Sequence, residues 1–400
     1  LLQRHPDWAP ARVKAAFAGT ARPVLDGATP ATPLRAGSGL LDVLAADRPL
    51  LQATPTSISL GFLRPGTTAA PAIALEDVGG GAGEWLVSVS APGAPAGAAV
   101  TAPATVVVPG TLALGIAVTD GTLDGDVSGI VTLTRGGDSR RIAFWGRVVT
   151  PRLPNGPASV LARPGVFAGS TRGRPSLVTV YRYPELPLSG RIASTLAGPE
   201  QRFRVRIDRP VANFGVAIVR RRAGVRVVPR VVAAGDENRL TGYAGLPLNL
   251  NPYLTTFGDP TPVAGAIRPL PGTYDIVFDS PTPAGAGAFT FRFWIDDVTP
   301  PSVRLVTRTV RRGTPLRFRI GDAGAGIDPK SVSLRSGTHS LAVRIRGAEL
   351  IVPTGTLTAG TKRLRVQLSD YQETRNMENV PRILPNTRVV TVAVRVLPRR

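Results

Sequence analysis

The chain lacks cysteine altogether, holds one methionine and two histidines, and has only Lys14, Lys330 and Lys362 as lysines among its 48 basic residues. Each shortage closes off a class of chemistry. Without cysteine there is no disulfide framework, no thiol nucleophile and no cysteine-based zinc site. Many exported bacterial proteins avoid cysteine, so the count is compatible with secretion. The two imidazoles, His5 and His339, fall in separate modules, and neither stands beside a Gly-x-Ser-x-Gly elbow. No nucleophile, base and orienting acid are therefore expected together in these residues. No apolar run reaches the roughly 18 residues of a bilayer-spanning helix, and there is no glycine-rich phosphate loop, haem site or nucleotide fingerprint. No catalytic residue, organic cofactor or transmembrane segment is expected.

Arginine is in excess: against 27 acidic residues the formal net charge is +21. A field of that sign attracts nucleic acid, anionic lipid or acidic wall polymer. The arginines mostly alternate with apolar residues, as in Phe203-Arg204-Val205-Arg206-Ile207, Leu316-Arg317-Phe318-Arg319-Ile320 and Arg363-Leu364-Arg365-Val366. Period-2 alternation sends the apolar partners to a core and the arginines to solvent. Arg220-Arg221-Arg222 and Arg311-Arg312 are denser and are expected in turns. Nucleic-acid binding also calls for stacking aromatics beside the basic groups. The aromatics here alternate inward, so no specific nucleic-acid partner is expected.

After about residue 50 the pattern is that of strands. Glu84-Trp85-Leu86-Val87-Ser88-Val89, Thr111 to Val118, Ile130 to Thr134 and Ile142 to Val148 are short alternating runs, the last two joined at Gly136-Gly137-Asp138 as a hairpin. Further runs are Phe203 to Ile207, Gly215 to Val219, Gly272 to Phe278 and Phe289 to Ile295, where Phe289, Phe291, Phe293 and Ile295 share a face. The segment 238–269 reads as a long insert, an Ω-loop carrying its own apolar plug. Asp296-Asp297-Val298-Thr299-Pro300-Pro301 is a boundary, because consecutive prolines force extended backbone. Leu316 to Ile320, Val343 to Ile345 and Leu364 to Leu368 follow. The expected organisation is mainly β: a short helical segment at 1–50, then sandwiches at 51–151, 152–297 and 298–400.

Calcium is the one cofactor the residues leave open, since hard cations need several carboxylate and carbonyl oxygens. Asp120, Asp124 and Asp126 share one loop, and Asp322 and Asp328 flank a glycine loop. Neither has the spacing of a twelve-residue calcium loop with its closing Glu. Both are expected to be turn residues bonding local N–H groups, and no metal ligand is assigned.

The first fifty residues carry the most specific pattern. His5-Pro6-Asp7-Trp8-Ala9-Pro10 leads into a short amphipathic helix, with Pro10 at its first position, Val13 and Phe17 on one face, and Gly19 at its close. Gly37-Ser38-Gly39-Leu40-Leu41-Asp42-Val43-Leu44-Ala45-Ala46 follows a proline-rich turn. Leu1-Leu2, His5-Pro6, Trp8, Pro10, Thr20-Ala21, Gly37, Gly39, Asp42 and Ala45 match, in order, the C-terminal edge of the catalytic domain of subtilisin-like serine proteases, which this segment resembles. Ala9 departs from the Ser or Thr helix cap usual there, a loss of about 1 kcal/mol. The stretch Gly125 to Leu133 resembles the fibronectin type III-like domains that often follow such catalytic domains, and the module after Pro301 resembles bacterial immunoglobulin-like repeats.

The resemblance implies a secreted or cell-surface serine endopeptidase whose Asp, His and Ser lie upstream of Leu1, so these residues are expected to be inactive by themselves. It makes Ser38 part of a structural turn. Residues 1–50 would pack against the missing catalytic core of the same protein, leaving Trp8, Val13 and Phe17 exposed without it. Enclosure of those side chains by the following β modules, as a self-sufficient unit, would overturn the protease assignment. Protein substrates, met through the parent enzyme, and wall polymer are the partners this implies. The alternative is a non-enzymatic adhesin or carbohydrate-binding protein of tandem immunoglobulin-like modules.

Overall fold

Alternation of apolar and polar residues builds the first sandwich. In Gly125–Arg135 the side chains of Val127, Val131 and Leu133 are buried, and in Gly83–Ser90 Trp85 is enclosed while its neighbour Leu86 faces solvent. The computed structural model describes residues 1–179, 181, 196–243, 263–371 and 386–399. It forms two units, Leu1–Thr150 and Pro151–Arg400. The chain is mainly β, a series of immunoglobulin-like sandwiches.

In the first unit one layer has five strands in the order Ser57–Leu63, Asp138–Val148, Gly125–Arg135, Gly83–Ser90 and Thr105–Val108. The first of these runs parallel to its neighbour and the rest are antiparallel. Arg135 pairs with Asp138 across Gly136-Gly137, and Gly136 takes the positive φ that this tight turn requires. Two three-stranded sheets make the opposing layer. The run from Thr111 to Val118, which reads as one strand, is two: Gly110–Ala113 joins one sheet and Gly115–Val118 the other. At the break the Leu114 N–H donates to Pro71 O, while Leu112, Leu114, Ile116 and Val118 keep pointing inward. Trp85 anchors the core, its indole N–H donating to Gly81 O at 2.8 Å. Truncating such a side chain to alanine costs about 3–5 kcal/mol.

Three short helices precede this sandwich: α1 (Pro10–Thr20), α2 (Pro33–Ala36) and α3 (Val43–Asp47). Helix α1 touches α3 and the strands Leu51–Thr54 and Asp138–Val148. It runs one residue past Gly19 to Thr20, whose hydroxyl bonds back to Ala16 O at 2.7 Å.

The second unit contains two further sandwiches. In one, a five-stranded sheet (Ala158–Val160, Glu200–Ile207, Gly272–Asp279, Val228–Ala233, Asp236–Tyr243) faces a four-stranded sheet (Gly165–Ser170, Ala288–Ile295, Asn213–Arg221, Val263–Ile267). Their core is aromatic, with Phe278 and Phe291 ring centroids 4.5 Å apart and Phe203 and Phe291 5.0 Å apart. Phe289, Phe291 and Phe293 are buried as the alternation predicts, with Ile295 packed beside them. The ends of the 238–269 insert are strands rather than loop, closing Asp236–Tyr243 and opening Val263–Ile267. Residues 244–262, including the apolar plug, lie outside the described residues. In the other sandwich, Ser302–Leu305, Leu316–Gly321, Glu349–Val352 and Arg344–Arg346 face Thr309–Arg311, Thr387–Leu397, Gly360–Ser369, Ser333–Ser336 and His339–Ser340. Phe318, Leu350, Leu364 and Val366 fill its centre.

The solvated-face reading of the arginines holds at Arg317, Arg319, Arg363 and Arg365, which are exposed. It fails at Arg202 and Arg230, both buried. Leu153, Leu177 and Val178 pack over the outer face of that five-stranded sheet. The arginines beneath are neutralised within the sheet: Arg202 Nη1 and Arg204 Nε each lie 3.0 Å from Asp275, and Arg230 Nη1 lies 3.0 Å from Asp279. Burial is tolerable here because each charge has an opposite partner.

Candidate functional site

The motif-bearing segment before the first sandwich is a locally built structure. Trp8 contacts two planar groups: the His5 ring stacks on it at 4.0 Å between centroids, and the Arg12 guanidinium sits 5.2 Å from its centroid over the ring. His5 Nε2 is 2.8 Å from Asp47 Oδ1, and Arg4 pairs with the other carboxylate oxygen at 3.0 Å, so the end of α3 is tied to the residues before α1. Pro10 occupies the first position of α1, and Ala9 gives no side-chain cap. At the second glycine of Gly37-Ser38-Gly39, φ is +127°, and a β-carbon would overlap the Arg22 carbonyl oxygen. Arg22 and Leu40 exchange backbone hydrogen bonds across that glycine. Asp42 caps α3 by accepting the Ala45 N–H at 3.0 Å, and its other oxygen binds Arg22. The backbone bond from Ala45, then Arg22, holds the Asp42 carboxyl below its ordinary value.

The expected exposure of Trp8, Val13 and Phe17 is corrected. Trp8 is buried, and Val13, Phe17 and Leu1 pack with Ala16 of α1 and Ala46 of α3. The reason is geometric: α3 folds back over α1, a contact that helical periodicity within one segment does not reveal. The exposed apolar side chains lie one step later, with Leu40 62%, Leu41 61%, Val43 57% and Leu44 84% accessible.

The residues weighed for catalysis do not assemble. His5 is held by Asp47, His339 lies in a two-residue edge strand, and no hydroxyl is bonded to either among the described residues. The Ser38 carbonyl accepts from Arg141 Nε at 3.3 Å. An adjoining groove of about 270 Å³ is lined by Pro33, Leu34, Ser38, Ser57, Ser59 and Trp145, among others, with no histidine or carboxylate on its wall. Arg220, Arg221, Arg222, Arg311 and Arg312 are exposed at strand ends and in the turns after them.

Of the acidic loops, the first is committed to groups distant in sequence rather than to the local N–H groups expected, and Asp126 lies within the strand Gly125–Arg135. Asp126 Oδ2 pairs with Arg147 at 2.7 Å, and Asp124 accepts the Thr150 N–H at 2.9 Å. Asp328 caps a short helical turn by accepting the Lys330 N–H at 2.9 Å, and Asp322 accepts the Gly326 N–H at 2.7 Å. Asp322 has a second neighbourhood that sequence reasoning missed. The fold brings it together with Asp297 and Asp370, one oxygen of each lying within 4.8 Å of the others. Asp297 and Asp370 are buried and Asp322 half-buried. Burial foremost, with the Asp297 charge contributing, raises the Asp322 carboxyl above its ordinary value. Asp297 lies in the Asp-Val-Thr-Pro-Pro junction and Asp370 directly follows the strand Gly360–Ser369, so no linear spacing links the three.

No protein-family model and no curated protein matches the chain. Among solved structures, tripeptidyl peptidase 2 aligns over 92% of this chain and 31% of its own, with 12% identity and a TM-score of 0.27. This chain thus spans about a third of that structure. The mouse nectin-like molecule 4 ectodomain (Ig1–Ig3) aligns over 86% of this chain and 98% of its own, at 12% identity and a TM-score of 0.18. The adhesin domain of Epf from Streptococcus pyogenes covers 50% of this chain and 72% of its own, at 11% identity and a TM-score of 0.20. Scores of this size assign no function. No helix among the described residues is long and apolar enough to cross a membrane.

Proposed function

We propose that these residues are the non-catalytic C-terminal portion of a secreted subtilisin-like serine endopeptidase, in which residues 1–50 complete the edge of the catalytic domain and the sandwiches position substrate or hold the enzyme near the cell surface. The observation carrying this reading is that the matched motif positions have demanding local roles. Gly39 occupies a site closed to any β-carbon, Asp42 caps α3 and anchors Arg22, and Trp8 stacks with His5 and carries the Arg12 guanidinium over its ring. The apolar run Leu40 to Leu44, exposed here, supplies a surface for the catalytic core to cover.

The test is direct. The coding sequence upstream of Leu1 is read, and the chain is produced with and without that extension and treated with a fluorophosphonate serine probe. The proposal expects a Gly-Thr-Ser-Met-Ala-type run upstream and labelling of the extended protein alone. A further β-repeat upstream, with no labelling of either form, overturns it.

A second reading, a non-enzymatic adhesin of tandem immunoglobulin-like modules, is favoured by one observation. Trp8 is buried and Phe17 partly buried among the chain's own helices, and α1 also rests on strands of the first sandwich, so most of that apolar surface is covered within the chain. The same upstream sequence separates the two readings.

A further inference from the structure

We propose that Asp297, Asp322 and Asp370, with Asn386, form a calcium site in the second unit, where the linker entering its last sandwich meets the loop at 322–326 and the residues Asp370 and Asn386 of that sandwich. Three carboxylates with oxygens within 4.8 Å of one another, two of them buried, repel one another, and a cation held between them offsets that repulsion. Independent of the carboxylates is the state of Asn386. Its side chain is fully buried and aimed into the cluster, with Nδ2 2.6 Å from Asp370 Oδ2 and 3.1 Å from Asp297 O. Its Oδ1 is buried with no hydrogen-bond partner among the described residues. A buried amide oxygen without a donor is costly, and a cation is the ligand that satisfies it together with the adjoining carboxylates.

The donors are all oxygens on a set with no histidine or cysteine, which favours a hard ion, and the mixture of carboxylate and amide oxygens suits calcium, with water completing its six to eight ligands. The supporting hydrogen bonds hold the set in place. Asp297 Oδ2 accepts the Ala325 N–H at 2.6 Å, Asn213 Nδ2 donates to Asp297 O at 2.7 Å, and the Tyr371 N–H donates to Gly326 O at 2.9 Å. Arg292 binds the carbonyls of Asp322 and Gly324 rather than the cluster, fixing the loop that carries Asp322. An ion here joins the linker residue Asp297 to the loop at 322–326 and to Asp370 and Asn386. It therefore fastens the aromatic sandwich to the last one.

Terbium luminescence on the full chain tests this, because an indole lies close by: Trp294 Nε1 donates to Asn213 Oδ1, and Asn213 reaches Asp297. The expected result is saturable, indole-sensitised terbium emission that calcium displaces with a Kd on the order of 10⁻⁴ M or tighter. The emission should be lost in Trp294→Phe and weakened at least tenfold in Asp322→Asn. Asp322→Asn keeps an oxygen for the Gly326 N–H, and it is paired with Asp297→Asn so that one misfolded variant leaves the site testable. Thermal unfolding should rise by a few degrees in about 5 mM calcium over EDTA for the wild type and not for Asp322→Asn. Absence of saturable emission, emission indifferent to both aspartate variants, or stabilisation by mild acid in place of calcium overturns the proposal.

Discussion

The imidazole of His5 lies 2.8 Å from the carboxylate of Asp47, forty-two residues further along the chain. This bond, with the Arg4 ion pair on the other oxygen, joins the two ends of the motif-bearing segment. In Asp47→Ala both are lost, at a cost of about 1 kcal/mol. Amide exchange in α1 should quicken by about fivefold while the sandwich strands of the first unit keep their protection, which hydrogen-exchange mass spectrometry resolves.

Gly39→Ala places a β-carbon against the Arg22 carbonyl at a backbone conformation that L-residues avoid. The expected loss is about 1–3 kcal/mol, seen as an earlier urea midpoint for the first unit. Gly19→Ala is the control: nothing lies within 4 Å of the added methyl and the residue is helical, so its effect should be neutral or stabilising.

The double variant Leu41→Glu/Leu44→Glu alters only exposed side chains. Folding stability should change by no more than about 0.5 kcal/mol. Binding of a hydrophobic dye and retention on a phenyl column should both fall, since these residues head the exposed apolar run.

Asp275 is fully buried and holds Arg202 and Arg204 while accepting the Gly235 N–H. Asp275→Ala strands two cations, one of them buried, and should cost about 3–5 kcal/mol in the second unit. A matched Arg202→Met/Asp275→Leu pair should recover most of that loss, as measured by chemical denaturation.

Burial raises the Glu200 carboxyl to about 7, against the hydrogen bonds from Leu177 and Val178, and the Asp279 carboxyl to about 6, against the pull of Arg230. In both cases the folded state holds its proton more tightly than the unfolded chain. The stabilisation from this source is complete below the unfolded values of 4.5 and 3.8 and is lost as pH rises to about 7 and about 6. The second unit should therefore lose stability between about pH 5 and pH 7, and Glu200→Gln should flatten that slope. Urea titrations at several pH values check both.

Much of the fold was legible because strand alternation is a local signal. The faces of Phe289 to Phe293 and of Leu316 to Ile320 could be assigned from neighbours two residues apart. The break at Leu114 was not legible, since both halves keep the same inward parity and only their pairing partners differ. The buried Arg202 and Arg230 were missed for a related reason. Alternation separates the two faces of a sheet but does not say what packs over the outer one. At the amino end the pattern located the glycine turn but neither α3 nor its Asp42 cap, and it misjudged which apolar side chains are covered, because α3 packing on α1 is a tertiary fact. The grouping of Asp297, Asp322 and Asp370 has no linear signature at all.

In the first sandwich the second strand, Ser57–Leu63, runs parallel to the last, Asp138–Val148, and in the final sandwich the second strand, Thr309–Arg311, runs parallel to the last, Thr387–Leu397. Tension along the chain would pull each such pair from opposite ends. The bridging hydrogen bonds are then loaded in shear, together rather than one at a time. Once the first strand of each module has peeled away, that parallel pair is where a pull would meet resistance.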